Sequence, residues 1–296
     1  MLGALCAASA AELGMPAPSL SIDQWIKGNP IDLKQGKGSN VYVVEFWATW
    51  CPPCRDSVPH LSALQQKFRD KGVVIIGISD EAPGKVRSFV KRMGDKMNYS
   101  VAVDKNQGTS KNYMNAFGIE TIPHAFIVDK HGRMVWHGHP MDQLDTALNE
   151  VITETFDLAA AQTAEKLRSM VSQYFAMVTN APVDPKAKEL GAEIFVKADT
   201  HYGILGEFAW RILTDRLVKE RDRNLALKAA RRAYEGTHGR DAGMVDTYAR
   251  ALFDNGHHEE AIKYQQEAIA ACKDSKVRFE MEATLNRYKR LSKEKR

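Results

Sequence analysis

Two short, uninterrupted apolar runs stand out in the first half of the chain. Residues 41–46 and 73–79 are rich in valine and isoleucine and contain almost no polar positions. Such runs are typical of strands that are buried on both faces of a sheet. Between them, apolar side chains recur at helical spacing from residue 57 to residue 68. The pattern therefore predicts a buried strand, a helix and a second buried strand.

The following elements continue an alternation of strands and helices. The pattern predicts a helix at 83–94, a strand at 99–103, a helix at 108–117, strands at 124–129 and 134–137, and a closing helix at 144–151. Residues 130–132 form the turn of a hairpin. Residues 25–33 are interpreted as an N-terminal extension that leads into the first buried strand. The first half is thus predicted to be an α/β domain.

The second half shows helical periodicity and almost no strand signal. Two of its segments resemble each other at a spacing of 35 residues. The matching positions are Trp210, Leu213, Leu217, Ala226 and Ala233 in one, and Val245, Tyr248, Leu252, Ala261 and Ala268 in the other. This pattern resembles the packing positions of tetratricopeptide (TPR) repeats. It predicts an all-α, TPR-like domain, with a helical pair at 159–197 and a capping helix at 275–293; an irregular helical bundle is the alternative.

Length and charge fit this division. The 296 residues suffice for two domains, which we place at 16–154 and 155–296, after a leader remnant or disordered tail at 1–15. The net charge of +4 arises in the second half, where basic and acidic residues are interspersed. That distribution favours a solvated helical surface over a nucleic-acid groove. No apolar run is long enough to span a membrane.

The first twelve residues are small and apolar, like the back half of a secretory leader. Ala8-Ser-Ala10 fits a signal-peptidase cleavage pattern, although a charged n-region is missing. A lipoprotein signal through Cys6 is weaker, because Leu5 stands where a small residue is expected. We expect export to the periplasm or another extracytoplasmic space, with a cytoplasmic protein as the alternative.

A Cys-x-x-Cys motif follows the first buried strand directly. Cys51 lies at the start of the predicted helix, where unpaired backbone N–H groups and the helix dipole favour a thiolate over a thiol. This is the chemistry that a dithiol redox catalyst requires. A zinc site would need two further ligands, whereas the other cysteines, Cys6 and Cys272, stand alone. We therefore predict no metal, and no cofactor beyond a redox-active disulfide between Cys51 and Cys54.

Three segments resemble the TlpA/ResA-like branch of the thioredoxin superfamily. They are Phe46-Trp-Ala-Thr-Trp-Cys51, Val103-Asp104 and Ile122-Pro-His-Ala-Phe-Ile-Val-Asp-Lys-His-Gly132. The resemblance covers residues 16–154 and implies a thioredoxin fold, a central mixed sheet flanked by helices. Members of this branch are exported thiol-disulfide oxidoreductases, associated with cytochrome c maturation and general extracytoplasmic reduction. Some members carry a glutamate where this chain has Ser57, and this difference argues against a specific role in cytochrome c maturation.

The resemblance also implies roles for residues around the dithiol. Pro59 corresponds to the proline that kinks the family's first helix, and Pro123 to its cis-proline. Glu45 stands where thioredoxins carry a buried aspartate. A carboxylate in an apolar strand should have a raised pKa and could accept the proton of the resolving thiol. The alternative for Glu45 is a buried salt-bridge partner.

The mechanism implied is that of a protein-disulfide reductase. Cys51 attacks a substrate disulfide and Cys54 resolves the mixed disulfide. The residues expected to contact the substrate are Trp50, Pro52, Pro53 and Ile122. Isoleucine before the cis-proline is typical of reducing thioredoxins; a disulfide-forming oxidase is the alternative. The expected partners are disulfide-containing proteins, an upstream thiol electron donor, and a protein that residues 155–296 would bind.

Two hypotheses come from other functional classes. The first is a thiol peroxidase, since peroxiredoxins share the fold. Their P-x-x-x-T-x-x-C motif would require proline and threonine where this chain has Val44 and Ala48. The second is a helical scaffold whose redox domain is an accessory.

Overall fold

A computed structural model describes residues 11–180 and 184–294 of the chain. The chain divides into two compact units, Met1–Gln162 and Thr163–Arg296, and each is described by itself. The leader-like stretch 1–10, including Cys6, lies outside the described residues. So does Pro182, in the segment where the sequence suggests a turn within the helical half.

The first unit contains one six-stranded mixed sheet. Its strands are β1 (Ile22–Lys27), β2 (Val41–Phe46), β3 (Val73–Ser79), β4 (Ser100–Asp104), β5 (His124–Val128) and β6 (Met134–Gly138). Their order across the sheet is β1-β4-β3-β2-β5-β6. Strand β3 runs parallel to both β2 and β4, whereas the outer pairings are antiparallel. The two apolar runs therefore form neighbouring central strands of the thioredoxin fold.

Four α-helices between residues 52 and 152 accompany this sheet, and three of them contribute to the same core. The four helices are α1 (Pro52–Phe68), α2 (Pro83–Met93), α3 (Gly108–Asn112) and α4 (Leu144–Ile152). Val43 of β2 packs into a core that also holds residues of α1, α2 and α4. The next residue, Val44, packs into a second core with Tyr113 and Phe126. Successive side chains of a strand point to opposite faces, so burial on both faces explains why β2 has no polar alternation.

Two elements differ from the sequence-based expectation. The segment interpreted as an extension, 25–33, begins within β1, which pairs antiparallel with β4 at the edge of the sheet. The helix expected at 108–117 ends at Asn112, and a single 3₁₀ turn follows at Asn115–Phe117. Between these two pieces, the fully buried Tyr113 donates its hydroxyl to the carbonyl of Pro18 at 2.7 Å. Packing of this side chain thus accompanies the interruption of the helical periodicity.

The remaining helices carry the C-terminal part of the chain. They are α5 (Leu158–Thr179), α6 (Ala187–Lys197), α7 (Tyr202–Thr214), α8 (Arg223–Gly236), α9 (Ala242–Asp254), α10 (His258–Ala271) and α11 (Ser275–Glu294). The side chains of Asp222 and Asp241 cap α8 and α9 by accepting backbone N–H groups. Within the described residues, no helix is both long and apolar enough to cross a membrane.

Helices α7 and α8 form one helical hairpin, and α9 and α10 form the next. The 35-residue spacing holds for the second helix of each hairpin but not for the first. Helices α8 and α10 begin 35 residues apart, whereas α7 and α9 begin 40 residues apart. The prediction that Trp210 and Leu217 pack like Val245 and Leu252 is therefore wrong. Leu217 lies beyond the end of α7 and is 62% exposed, and Trp210 is 40% exposed.

Other residues of α7 take the core positions instead. Leu205, Phe208 and Ile212 are fully buried and lie 40 residues before their counterparts in α9. The difference between the two spacings arises from the loops within the hairpins. The loop between α7 and α8 spans 215–222, whereas the loop between α9 and α10 spans only 255–257.

Candidate active site

Cys51 and Cys54 lie where the loop after β2 enters α1. Cys51 is the N-cap residue of α1, with extended backbone, and Pro52 follows in the first helical turn. Proline is favoured there because its missing N–H would have no helical partner and its φ is already helical. The backbone N–H of Cys54 donates to the Cys51 Sγ at 3.2 Å. The same group would stabilise a Cys51 thiolate in the reduced protein.

The two cysteines are joined by a disulfide. Their Cα atoms are 5.3 Å apart; Cys51 is 3% exposed and Cys54 is fully buried. The hydroxyl of Ser57, also fully buried, donates to the carbonyl of Cys54 at 2.8 Å. Pro59 lies within α1, where it removes one helical N–H donor. Of the two cysteines, Cys51 has the greater access to solvent.

Residues far apart in the sequence surround the disulfide. The Cys51 Sγ lies 3.8 Å from the carbonyl oxygen of Ile122, and the Ile122–Pro123 peptide bond is cis. Ile122 is half-buried and Pro123 is buried. On the chain just before Cys51, Trp50 is 64% exposed, and Pro52 and Pro53 after it are exposed as well. The structure thus places the loop of Ile122 against Cys51.

Glu45 is fully buried in the middle of the sheet. It lies on β2 between Gly77 of β3 and Ala125 of β5. Neither carboxyl oxygen has a hydrogen-bond partner among the described residues, and no ion pair of that part of the chain includes Glu45. Burial therefore raises the pKa of Glu45 well above its usual range.

Two further buried polar groups lie near this carboxyl. Within the described chain, the Trp47 indole N–H and the Tyr99 hydroxyl also have no hydrogen-bond partner. A Cβ atom placed on Gly77 would lie 3.0 Å from Trp47 Nε1, 3.0 Å from Tyr99 Cε2 and 3.3 Å from Glu45 Oε2. Burial, and secondly the charge of Glu45, raise the pKa of Tyr99. Glycine at position 77 thus leaves room for three polar side chains to converge.

Glu81 is a site residue that the sequence did not reveal. Its carboxylate accepts hydrogen bonds from the backbone N–H of Thr49 at 2.6 Å and from the Thr49 hydroxyl at 2.9 Å. Lys85 pairs with the same carboxylate at 2.5 Å. Burial alone would raise the pKa of Glu81, but the hydrogen bonds from Lys85 and Thr49 outweigh it, and the pKa is lowered. Glu81 thereby anchors the loop that leads to Cys51.

The histidines near the site contact one another. His124, which follows Pro123, has its Nε2 3.0 Å from Nδ1 of His137 on β6. Across residues 11–180 and 184–294, no three histidine, cysteine, aspartate or glutamate side chains come together in a way that could hold a metal ion.

Comparisons with known proteins find similarity to thiol-disulfide oxidoreductases. The model of the AhpC/TSA family matches residues 13–137. The thiol-disulfide oxidoreductase ResA of Bacillus thuringiensis (strain Al Hakam) is 35% identical over 125 residues, which are 42% of this chain and 68% of that protein. ResA of Bacillus subtilis (strain 168) is 28% identical over 123 residues, covering 41% and 64%. A crystal structure described as a putative thiol:disulfide interchange protein DsbE from Chlorobium tepidum aligns with 49% of this chain and 97% of that one, at 24% identity and a TM-score of 0.41.

The fold and the dithiol at the start of α1 define a thiol-disulfide oxidoreductase of the thioredoxin superfamily. Within that class, the chain belongs to the family of the ResA thiol-disulfide oxidoreductases. The matched segment ends within β6, so the similarity concerns the first unit.

Proposed function

We propose that the protein reduces disulfide bonds in other proteins through the dithiol Cys51/Cys54. One observation carries this proposal: the Cys51 sulfur lies 3.8 Å from the carbonyl oxygen of Ile122, beside the exposed Trp50. A substrate chain lying along this loop would bring its disulfide to Cys51, the more exposed of the two cysteines. Trp50, Pro52 and Pro53 would form the rest of its contact surface, because all three side chains are exposed around the disulfide.

The reaction begins with the reduced protein. The Cys51 thiolate attacks one sulfur of the substrate disulfide, so a Cys51–substrate S–S bond forms and the substrate S–S bond breaks. The departing substrate thiolate takes up a proton. Cys54 then loses its proton and attacks the Cys51 sulfur, which releases the second substrate thiolate and forms the Cys51–Cys54 disulfide. The substrate gains two electrons, which an upstream dithiol donor must restore to the protein.

Glu45 is proposed as the acceptor of the Cys54 proton. Its carboxyl is buried and lacks a hydrogen-bond partner within the described chain, and burial raises its pKa, which makes the carboxylate a stronger base than an exposed one. Pro123 is proposed to shape the loop that holds the substrate backbone and to keep metal ions from the dithiol. Ile122 favours reduction over oxidation, since this residue type stands before the corresponding proline in reducing thioredoxins. The AhpC/TSA match also suits a thiol peroxidase, but Val44 and Ala48 depart from the peroxidase motif.

We also propose an extracytoplasmic location and a TPR-like character for the helical unit. The small, apolar first residues support export. The successive hairpins α7–α8 and α9–α10, with buried alanines at matching positions of α8 and α10, support the repeat. In this proposal the helical unit binds a protein partner and so determines where the dithiol acts.

Trapping of the mixed disulfide tests the proposal. The variant Cys54→Ser cannot resolve the intermediate, so incubation with insulin should yield a covalent complex through Cys51. Mass spectrometry of peptides should locate the bond, and dithiothreitol should release it. The double variant Cys51→Ser/Cys54→Ser should form no complex. If Cys54→Ser formed none either, while its Cys51 thiol was shown to be free, the proposed role of Cys51 would be wrong.

A further inference from the structure

The helical unit has an open groove of about 460 Å³. Helices α7, α9 and α11 line it, and each contributes one face. On α7 and α11 the lining residues are three and four positions apart: Gly206, Glu207 and Trp210 on one, and Val277, Glu280 and Met281 on the other. Residues at this spacing share a helix face. The groove is therefore bounded by three helices and open to solvent.

The apolar part of the groove is formed by Met244 and Trp210. Met244 of α9 lies directly over Gly206 of α7, where a Cβ atom would come within 2.1 Å of the methionine sulfur. The absence of a side chain at Gly206 thus leaves room for Met244 between α7 and α9. Trp210 keeps 40% of its surface exposed, and Val277 on the facing helix keeps 42%. Exposed tryptophan beside apolar surface is typical of binding sites rather than of solvated helix faces.

All the charged residues that line the groove are acidic, and the neutral polar ones are Thr247 and Thr284. Its charged lining residues are Glu207, Asp241, Asp246 and Glu280, and no lysine or arginine belongs to the lining. Asp241 caps α9, and Asp246 accepts a hydrogen bond from Gln265 at 2.6 Å. By contrast, neither Glu207 nor Glu280 forms an ion pair among the residues that the structure describes. These exposed carboxylates on opposite walls give the groove uncompensated negative charge, although the whole chain carries a net charge of +4.

We propose that this groove binds a cationic segment of a protein, with apolar side chains between its lysine or arginine residues. Basic side chains of the segment would pair with Glu207 and Glu280, and apolar ones would pack on Met244 and Trp210. A cation near the exposed face of Trp210 would gain further stabilisation. Charge complementarity of this kind selects the partner and speeds association more than it adds affinity. The inference rests on the proposed binding of a protein partner by the helical unit and is independent of the proposed dithiol chemistry.

Fluorescence anisotropy with the full chain tests the inference. The probe is a fluorescein-labelled peptide with the repeat Lys-Leu-Lys-Gly, and its control has the repeat Glu-Leu-Glu-Gly. We expect saturable binding of the basic peptide, no binding of the acidic one, and weaker binding as salt is raised. Cys51→Ser should bind the basic peptide like the wild type, which separates this site from the dithiol.

Matched variants locate the binding. Glu207→Gln/Glu280→Gln should weaken binding about tenfold, as the loss of two exposed ion pairs implies. Trp210→Ala should weaken it by about the same factor. The control Glu189→Gln/Glu282→Gln removes the same charge from exposed positions outside the groove and should change the affinity less than about twofold. Circular dichroism checks folding, and reduction of a small disulfide should be unchanged in both double variants.

Three results would overturn the inference. The first is the absence of saturable binding of the basic peptide. The second is an equal loss of affinity in the two double variants, which would mean that overall charge, not the groove, attracts the peptide. The third is displacement of the peptide by spermine at equal concentration, which would assign the groove to a small polycation rather than to a protein segment.

Discussion

The two units bury carboxyl groups in opposite ways. In the first unit, which contains the sheet and is called the sheet unit below, Glu45 is fully buried and has no hydrogen-bond partner within the described residues. In the helical unit, Asp246 is half-buried and accepts a hydrogen bond from Gln265, while Ala226 and Ala261 fill the closest packing positions. A buried carboxyl without a partner costs stability, and such local conflicts concentrate where a protein performs chemistry. The comparison therefore distinguishes a carboxyl that is proposed to act in the reaction from side chains that only pack.

Removal of the nucleophile should have the largest effect. Cys51→Ala should reduce the rate of insulin reduction to that of the buffer, because no thiolate remains to form the mixed disulfide. Cys272→Ala, at the buried free cysteine of the helical unit, should retain full activity. The increase in turbidity of insulin in the presence of dithiothreitol measures the rate of insulin reduction by each variant. Equal activity of Cys51→Ala and the wild type would show that the sheet unit does not carry out the reaction.

Glu45→Gln should stabilise the protein in a pH-dependent way. The folded pKa of Glu45 is raised, so ionisation in the unfolded chain lowers stability as the pH rises from the unfolded pKa to the folded pKa. Denaturant unfolding should show similar stability of variant and wild type at pH 4, and a variant more stable by roughly 1–3 kcal/mol at pH 8.

The same substitution should also slow the resolving step, because the variant cannot accept the Cys54 proton. The control is Glu12→Gln, at an exposed carboxyl. It should change neither the free energy of unfolding nor the rate of the resolving step. A pH-independent difference between Glu45→Gln and the wild type would contradict the account of Glu45.

Overpacking should destabilise the helical unit without affecting the dithiol. Ala261 is fully buried, so Ala261→Leu should lower the free energy of unfolding by about 1–3 kcal/mol. The exposed Ala271 provides the control Ala271→Leu, with little expected change. The reduction potential should be the same in all three proteins. A potential altered by Ala261→Leu would mean that packing in the helical unit influences the dithiol.

The smallest effect is expected for Glu81→Gln. The loss of a charged acceptor for Thr49 should cost about 1 kcal/mol at pH 7. The folded pKa of Glu81 is lowered, so its contribution is present above the unfolded pKa and disappears as the pH falls through the folded pKa. Thermal unfolding at pH 7 and pH 3 should show this convergence. A constant difference would mean that Glu81 acts through packing rather than charge.

Local patterns were enough to predict the sheet, α1 and the position of the dithiol. The strands β2 and β3 are buried on both faces, which produces a continuous apolar run that needs no knowledge of neighbours. Strand β1 was missed because an edge strand is only half covered and its sequence mixes polar and apolar residues. Glu81 was missed because its partner, Thr49, lies 32 residues earlier and only the parallel pairing of β2 and β3 brings them together.

The sequence predicted that the second half is helical, but it did not predict which residues of α7 correspond to those of α9. Its second helices, α8 and α10, follow the 35-residue spacing because alanines at their interfaces are constrained by close packing. The longer loop after α7 shifts the first helix by five residues, and a loop without a periodic pattern gives no signal of that shift. The groove was not predicted either, since its walls come from three helices whose facing sides depend on this register.

The reduction potential of the Cys51–Cys54 pair tests the central claim most directly. The protein would be equilibrated in dithiothreitol and glutathione buffers of defined ratio at pH 7, and its thiols counted by alkylation and mass spectrometry. The account predicts a reversible two-electron couple near about −270 mV, in the range of reducing thioredoxins. A couple near about −120 mV would contradict it and make the protein a donor of disulfides.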